Sequence, residues 1–167
     1  WDGCTSLYRM RVEWFDACSA LCAFCIHSQQ EHKVCDSFKF LLIRLFSILH
    51  AVALAEIEDC NSKAPEELMA LHFELLDPQA VDPESLRAIK NSECKLELCF
   101  QWIQQLIVSN IKTGVLTIPP PILSRSFQEL ANGMLAQHEA VKISNIPFPF
   151  PYAQLCEHLL MLHWLLA

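Results

Sequence analysis

An all-α fold is the expectation for this chain, and three features of the sequence carry it. Glycine is scarce, with three in 167 residues, and β-branched residues are sparse beside Leu and Ala; both favour helices over strands. Apolar residues recur at helical spacing through most of the chain. Prolines gather at a few points, where they bound helices rather than interrupt them. Hydrophobic residues make up 53% and charged residues 19%, more apolar and less charged than an average soluble domain. The length suffices for one domain with a real core, and no repeat or low-complexity linker divides it.

The chain opens Trp1-Asp2-Gly3, with no initiator Met and no signal-peptide pattern, so it reads as starting inside a larger protein. The first helix is expected over Tyr8–His27, with Val12, Phe15, Cys18, Leu21, Cys22 and Cys25 as its apolar face. Gln29–Lys33 is a polar break. Cys35-Asp36-Ser37 offers an N-cap to a long helix through Glu58, with Phe38, Leu41, Leu42, Leu45, Leu49, Val52 and Ala53 inward. Its stretch from Phe40 to Ala55 is apolar nearly all round but contains Arg44 and His50. That stretch is shorter than the roughly twenty residues of a bilayer span, and a central Arg costs about 2.5 kcal/mol or more on insertion. It is expected to lie buried among other helices.

A turn over Asp59–Ala64 precedes a short helix from Pro65 to near Leu76, with Glu66 and Glu67 at its positive end. Asp82 as N-cap and Pro83 at the first helical position start another, to about Lys90. The pair reads as a surface excursion. Cys94–Lys112 follows, with Leu96, Cys99, Phe100, Ile103, Leu106, Ile107 and Asn110 roughly on one side and Gly114 as its stop. After Pro119-Pro120-Pro121 comes a helix carrying Ile122, Leu123, Phe127, Leu130, Met134, Leu135 and Val141. Arg125 and Glu129 sit one turn apart on it, acid after base, the weaker orientation of a surface pair. A second proline block, Pro147, Pro149 and Pro151 alternating with Phe148 and Phe150, leads into an apolar helix from Tyr152 to Ala167. Glu157, His158 and His163 lie within it. No Gly or basic last turn ends it, as in a helix cut short.

Several function classes are disfavoured. The net charge of −7 without a basic stripe argues against nucleic acid as a partner. No GxSxG, HExxH, P-loop or GxGxxG occurs, and the seven His are scattered, so no enzyme is expected. The nine Cys are odd in number and mostly inside helical patterns, which fits a reducing compartment better than a disulfide framework. Cys18, Cys22 and Cys25 share one helical face, and Cys22-Ala-Phe-Cys25 has the spacing of a metal or redox pair, with His27 and Cys35 nearby. No second CxxC completes a four-ligand site. Core packing is therefore the expected role, and no cofactor is expected.

Three groups of residues resemble a known family. They are Trp1-Asp2-Gly3; Arg11-Val12-Glu13-Trp14-Phe15; and the block from Ile118-Pro119-Pro120-Pro121-Ile122-Leu123-Ser124-Arg125 through Phe127-Gln128-Glu129-Leu130 to Ile146-Pro147-Phe148-Pro149-Phe150-Pro151-Tyr152-Ala153-Gln154. The chain resembles the bestrophin family of anion channels, most closely its algal and other protist members. The resemblance covers essentially the whole chain and is most specific over 118–154.

The resemblance implies a homopentamer in a membrane, with one central pore conducting chloride and other monovalent anions. Each subunit of that family has four membrane helices and a large helical cytosolic part. On that pattern residues 1–146 are cytosolic helices and 147–167 the start of a membrane helix, in contact with lipid. The helix lining the family's hydrophobic neck would precede Trp1. The calcium-binding segment of animal members would follow Ala167.

The family's cytosolic constriction is an apolar residue directly before a proline, a few residues upstream of Tyr-x-Gln. Anchored on Tyr152-Ala153-Gln154, the resemblance implies Phe148; anchored on Ile-Pro, it implies Ile146. Phe148 is favoured. Alternate prolines fix φ and hold such a segment extended, so five copies can ring an axis with apolar groups, and such rings gate by dewetting. The competing expectation is a rigid turn whose Phe side chains fill a core. At the level of the whole chain, the alternative to a channel is a soluble helical protein-interaction domain.

Overall fold

A computed structural model describes residues 1–59, 75–76, 82–146 and 149–166. The fold is all-α: the described residues form six α-helices and no strand. They are α1 (Asp2–Phe24), α2 (His32–Asp59), α3 (Pro83–Asn91), α4 (Lys95–Lys112), α5 (Pro120–Asn145) and α6 (Phe150–Leu166), with a 3₁₀ turn at Cys25–His27. The helix expected between Pro65 and Leu76 lies almost wholly outside the described residues.

α1 packs chiefly on α5 and α2 chiefly on α4, and α2 also touches α1 and α5. The directions follow from named contacts. Gly3 approaches Ile143, whereas the Trp14 indole donates to the Leu130 carbonyl at 3.2 Å, so α1 and α5 run antiparallel. The Trp14 ring meets His50 edge-on with centroids 6.4 Å apart. At one end of the bundle, the turn after α1 is tied to the turn before α5. Ser28 and Gln30 donate to the carbonyls of Gly114 and Thr113, and Thr117 donates to that of His27 at 2.7 Å.

The core joins Met10, Trp14 and Leu21 of α1 to Leu42, Phe46 and Leu49 of α2. From the other side come Leu96, Ile103 and Ile107 of α4 and Leu123, Leu130 and Met134 of α5. Burying a side chain of that size contributes roughly 1.5–3 kcal/mol, so the bundle is held by its four long helices. The α1–α5 seam is built differently. Ser6 and Ala17 face Ser126, Gly133, Ala136 and Ala140, all buried, and small residues let two helix backbones approach closely.

Several boundaries differ from expectation. α1 starts at Asp2, and its buried face is Ser6, Met10, Trp14, Ala17 and Leu21; Val12 and Phe15 of the expected face are exposed, Phe15 to 69%. α2 starts at His32, not after a Cys35–Ser37 cap. The N–H groups of Val34 and Cys35 bond the Glu31 carbonyl, and the Ser37 hydroxyl bonds back to the Lys33 carbonyl at 2.9 Å instead of capping. The longer helix changes the membrane argument. His32–Glu58 is long and apolar enough to cross a bilayer, so length no longer argues against a span. Phe38, Leu42, Leu45, Leu49 and Val52 lie in the core, whereas Phe40, Ile43 and Leu41, the last expected inward, are exposed.

Other expectations hold. Asp82 caps α3, accepting the Ser85 N–H at 3.1 Å, with Pro83 following it. Gly114, at φ 80°, turns the chain after α4 in the left-handed conformation that Gly adopts without penalty. Val115 and Leu116 then both bond the Asn110 carbonyl.

Candidate functional site

The site expected from the sequence lies where α5 gives way to α6. Ile146 is the C-terminal cap of α5. Its backbone is extended (φ −85°, ψ 112°), its N–H bonds the Lys142 carbonyl at 3.0 Å, and its side chain is 56% exposed. Of the expected extended segment, Ile146 is the part described before the gap, and its own backbone is extended. Phe148, the other candidate, lies with Pro147 outside the described residues. On the far side, the Pro149 carbonyl accepts the N–H groups of Tyr152 and Ala153 and starts α6. α6 thus begins at Phe150, earlier than Tyr152, because Pro151 sits in the first turn, where its missing N–H leaves nothing unsatisfied. Tyr152, Ala153 and Gln154 are helical.

Ile146 and Pro149 do not stand alone. With Asp2 and Ser6 of α1 and Glu139, Lys142 and Ile143 of α5 they line a cleft of about 640 Å³. The start of α1 and the start of α6 therefore share one end of the bundle. α6 itself contributes no buried residue. It is largely apolar, with Leu155, Leu159, Leu160, Met161, Leu162, Leu165 and Leu166 all exposed and Trp164 exposed to 81%, and it carries Gln154, Glu157, His158 and His163.

A second cleft, of about 690 Å³, opens between α1 and α2. Trp14, Phe15, Phe46 and Leu54 give it apolar walls, and Arg11, Cys18, Cys22 and His50 place polar groups on it. Burial and the nearby Arg11 charge both push the His50 imidazole below its ordinary value. A hydrogen bond from Cys18 brings the Cys22 thiol down to about 7, helped by Lys39 and opposed by partial burial. The same bond, with desolvation, pushes Cys18 up. Burial raises Cys25 to about 11 and Cys99 to about 12.

No group of His, Cys, Asp and Glu among the described residues has the geometry of a metal site. Among the described residues, no carboxylate lines the α1–α2 cleft. Sequence reasoning had placed Cys18 and Cys22 on one face but had not joined them to Arg11 and His50. The signal for that cleft is Trp14 itself, a large polar-tipped ring one turn from Cys18 on a helix otherwise packed through small residues. No family model, curated protein or solved structure matches this chain.

Proposed function

We propose that this chain is part of a subunit of a pentameric, bestrophin-like channel passing chloride and other monovalent anions across a membrane. The bundle of residues 1–146 is the cytosolic part, and α6 begins a membrane helix. The observation that carries this reading is α6. A largely apolar helix with nothing buried leaves its apolar surface in water, whereas lipid accepts that surface because the helix satisfies its backbone bonds internally. Its length of 17 residues corresponds to about 25 Å, most of a hydrocarbon core of roughly 30 Å.

Two further observations support the reading. Asp2, Ser6, Ile146 and Pro149 line one cleft, an arrangement in keeping with the start of α1 and the start of α6 both facing one membrane. Ile146 is exposed on extended backbone between a helix end and a proline, as a pore-facing apolar residue requires. In this reading α2 is a core helix, and Ile146 or Phe148 forms the apolar constriction.

The test is anion conductance of the full-length protein in planar bilayers, wild type against Ile146→Ala and Phe148→Ala. The expected result is an anion-selective current whose conductance or permeability ratio changes in one of the two. Absence of membrane association and of any oligomer would sink the channel and leave a soluble helical interaction domain in its place.

A further inference from the structure

We propose that the cleft between α1 and α2 binds a free fatty carboxylate, with its charged head at Arg11 and His50 and its alkyl chain laid along the groove towards Cys22. The inference stands on this cleft and does not rest on the channel reading.

The groove is built from one stripe of each helix. Arg11, Trp14, Phe15, Cys18 and Cys22 follow the three- and four-residue steps of one face of α1, and Ile43, Phe46, His50 and Leu54 do the same on α2. The stripes run in opposite directions, since the Arg11 charge acts on His50 and the Lys39 charge acts on Cys22. Along the middle of the groove the polar wall atoms are already engaged. The Trp14 indole N–H donates to the Leu130 carbonyl at 3.2 Å, and the Ser47 hydroxyl accepts the Leu76 N–H at 3.1 Å. Phe15 and Ile43 are exposed, so the walls hold apolar surface in water.

Charge selects the occupant. The chain carries 19 acidic residues against 12 Lys and Arg, yet no Asp or Glu lines this cleft. Among the described residues Arg11 makes no ion pair, whereas Lys39, at the far end, is paired with Asp36 at 3.6 Å. The unpaired cation therefore stands at one end of an apolar groove. Its guanidinium presents a planar fork that matches a carboxylate. The His50 ring, held towards its neutral form by burial and by Arg11, offers one N–H as a second donor.

Size selects it as well. Arg11 and Cys22 are eleven residues apart, about 16 Å along α1. Spread over that length, the volume of about 690 Å³ leaves a mean section of roughly 40 Å². A helix about 10 Å across needs nearly twice that section, so the groove seats an alkyl chain rather than a partner helix. The volume itself is that of a small-ligand site.

The experiment is photolabelling of the full-length protein with dodecanoic acid carrying a terminal diazirine, followed by peptide mass spectrometry. The extended chain of this probe is about as long as the groove. The protein is held in phosphatidylcholine nanodiscs or, should it prove soluble, in buffer. Competitors are dodecanoate, dodecanol and dodecyltrimethylammonium, which share a tail and differ in charge. Label is expected in peptides carrying residues 18–22 or 39–43, at the tail end of the groove. Dodecanoate is expected to displace it at about two- to fivefold lower concentration than dodecanol, the worth of one exposed ion pair. Arg11→Gln should remove that difference and Arg11→Lys should keep part of it. Phe15→Glu, at an exposed position, should weaken dodecanoate and favour dodecyltrimethylammonium. Equal displacement by dodecanoate and dodecanol, unchanged in Arg11→Gln, would overturn the proposal. So would label confined to α6 or to surfaces away from the groove. Protection of the groove peptides that grows with protein concentration and yields to no competitor would assign the groove to a second copy of the chain, and would overturn it too.

Discussion

Gly133 has room for a hydrogen and nothing more. A Cβ there would lie inside contact distance of Nε1 and Cδ1 of Trp14 and 2.9 Å from Cε2. The indole cannot swing aside cheaply, because its N–H is committed to the Leu130 carbonyl and its ring rests on His50. In an exposed helix Gly→Ala gains about 1 kcal/mol; here overpacking costs about 1–3 kcal/mol, and the clash should win. Gly133→Ala is expected to lower the urea midpoint with an unchanged slope, and Trp14→Phe in the same chain should relieve part of the loss. A second prediction concerns His50. Burial lowers its folded value, so the unfolded chain binds the proton more readily. Stability from the neutral ring is present above its unfolded value of about 6.5 and is lost as pH falls below that. His50→Gln should flatten the stability profile between pH 7 and 5, measured by urea titration at each pH.

At the scale of single helices, legibility in the sequence depended on how local the signal was. Asp82-Pro83 was readable because a cap acts over three residues, and the structure has Asp82 accepting from Ser85. Replacing Asp82 by Ala should destabilise α3 by removing its N-cap. The Ser85 hydroxyl and N–H hold the Asp82 carboxyl below its ordinary value, so the difference between wild type and Asp82→Ala should be full above about pH 4. It should fade as pH drops through the folded value, which urea titration of both proteins at pH 7 and pH 3 would show. The face of α1 was misread because apolar spacing counts large side chains and ignores small ones. Ser6 and Ala17 of α1 are buried, as are Gly133 and Ala136 of the facing α5, while Phe15 faces outward. Hydrophobicity marks which residues prefer to leave water; backbone proximity at a small-residue seam decides which do. The same limit hid Gln137, whose amide donates to Glu56 at 2.9 Å from a fully buried position.

For the whole molecule, two apolar helices had to be told apart, and periodicity alone could not do it. α2 and α6 are both apolar nearly all round, but α2 puts Leu42 and Leu49 in the core and α6 buries nothing. The difference is tertiary: α1 and α4 flank α2, and no described residue covers α6. In the proposed reading, transfer of α6 to lipid removes its apolar surface from water, at about 25 cal/mol per Å². Glu157 and His158 oppose it, since an acidic group at mid-bilayer depth costs about 2.5 kcal/mol or more, and they should face protein or water. Trp164, exposed to 81% near the end of α6, is the natural reporter. Added to vesicles containing brominated phospholipids, the Trp1→Phe chain, used because Trp1 is itself exposed, is expected to show tryptophan quenching that falls sharply when Trp164→Phe is added, because Trp14 is buried in the bundle and Trp102 half-buried. Glu157→Leu should strengthen vesicle binding, roughly tenfold or more for a group that enters the hydrocarbon. Unchanged binding in Glu157→Leu would place that residue against protein or water. Quenching left unchanged by Trp164→Phe in the Trp1→Phe chain would mean that α6 stays outside the bilayer and that its apolar surface is met by another protein helix instead.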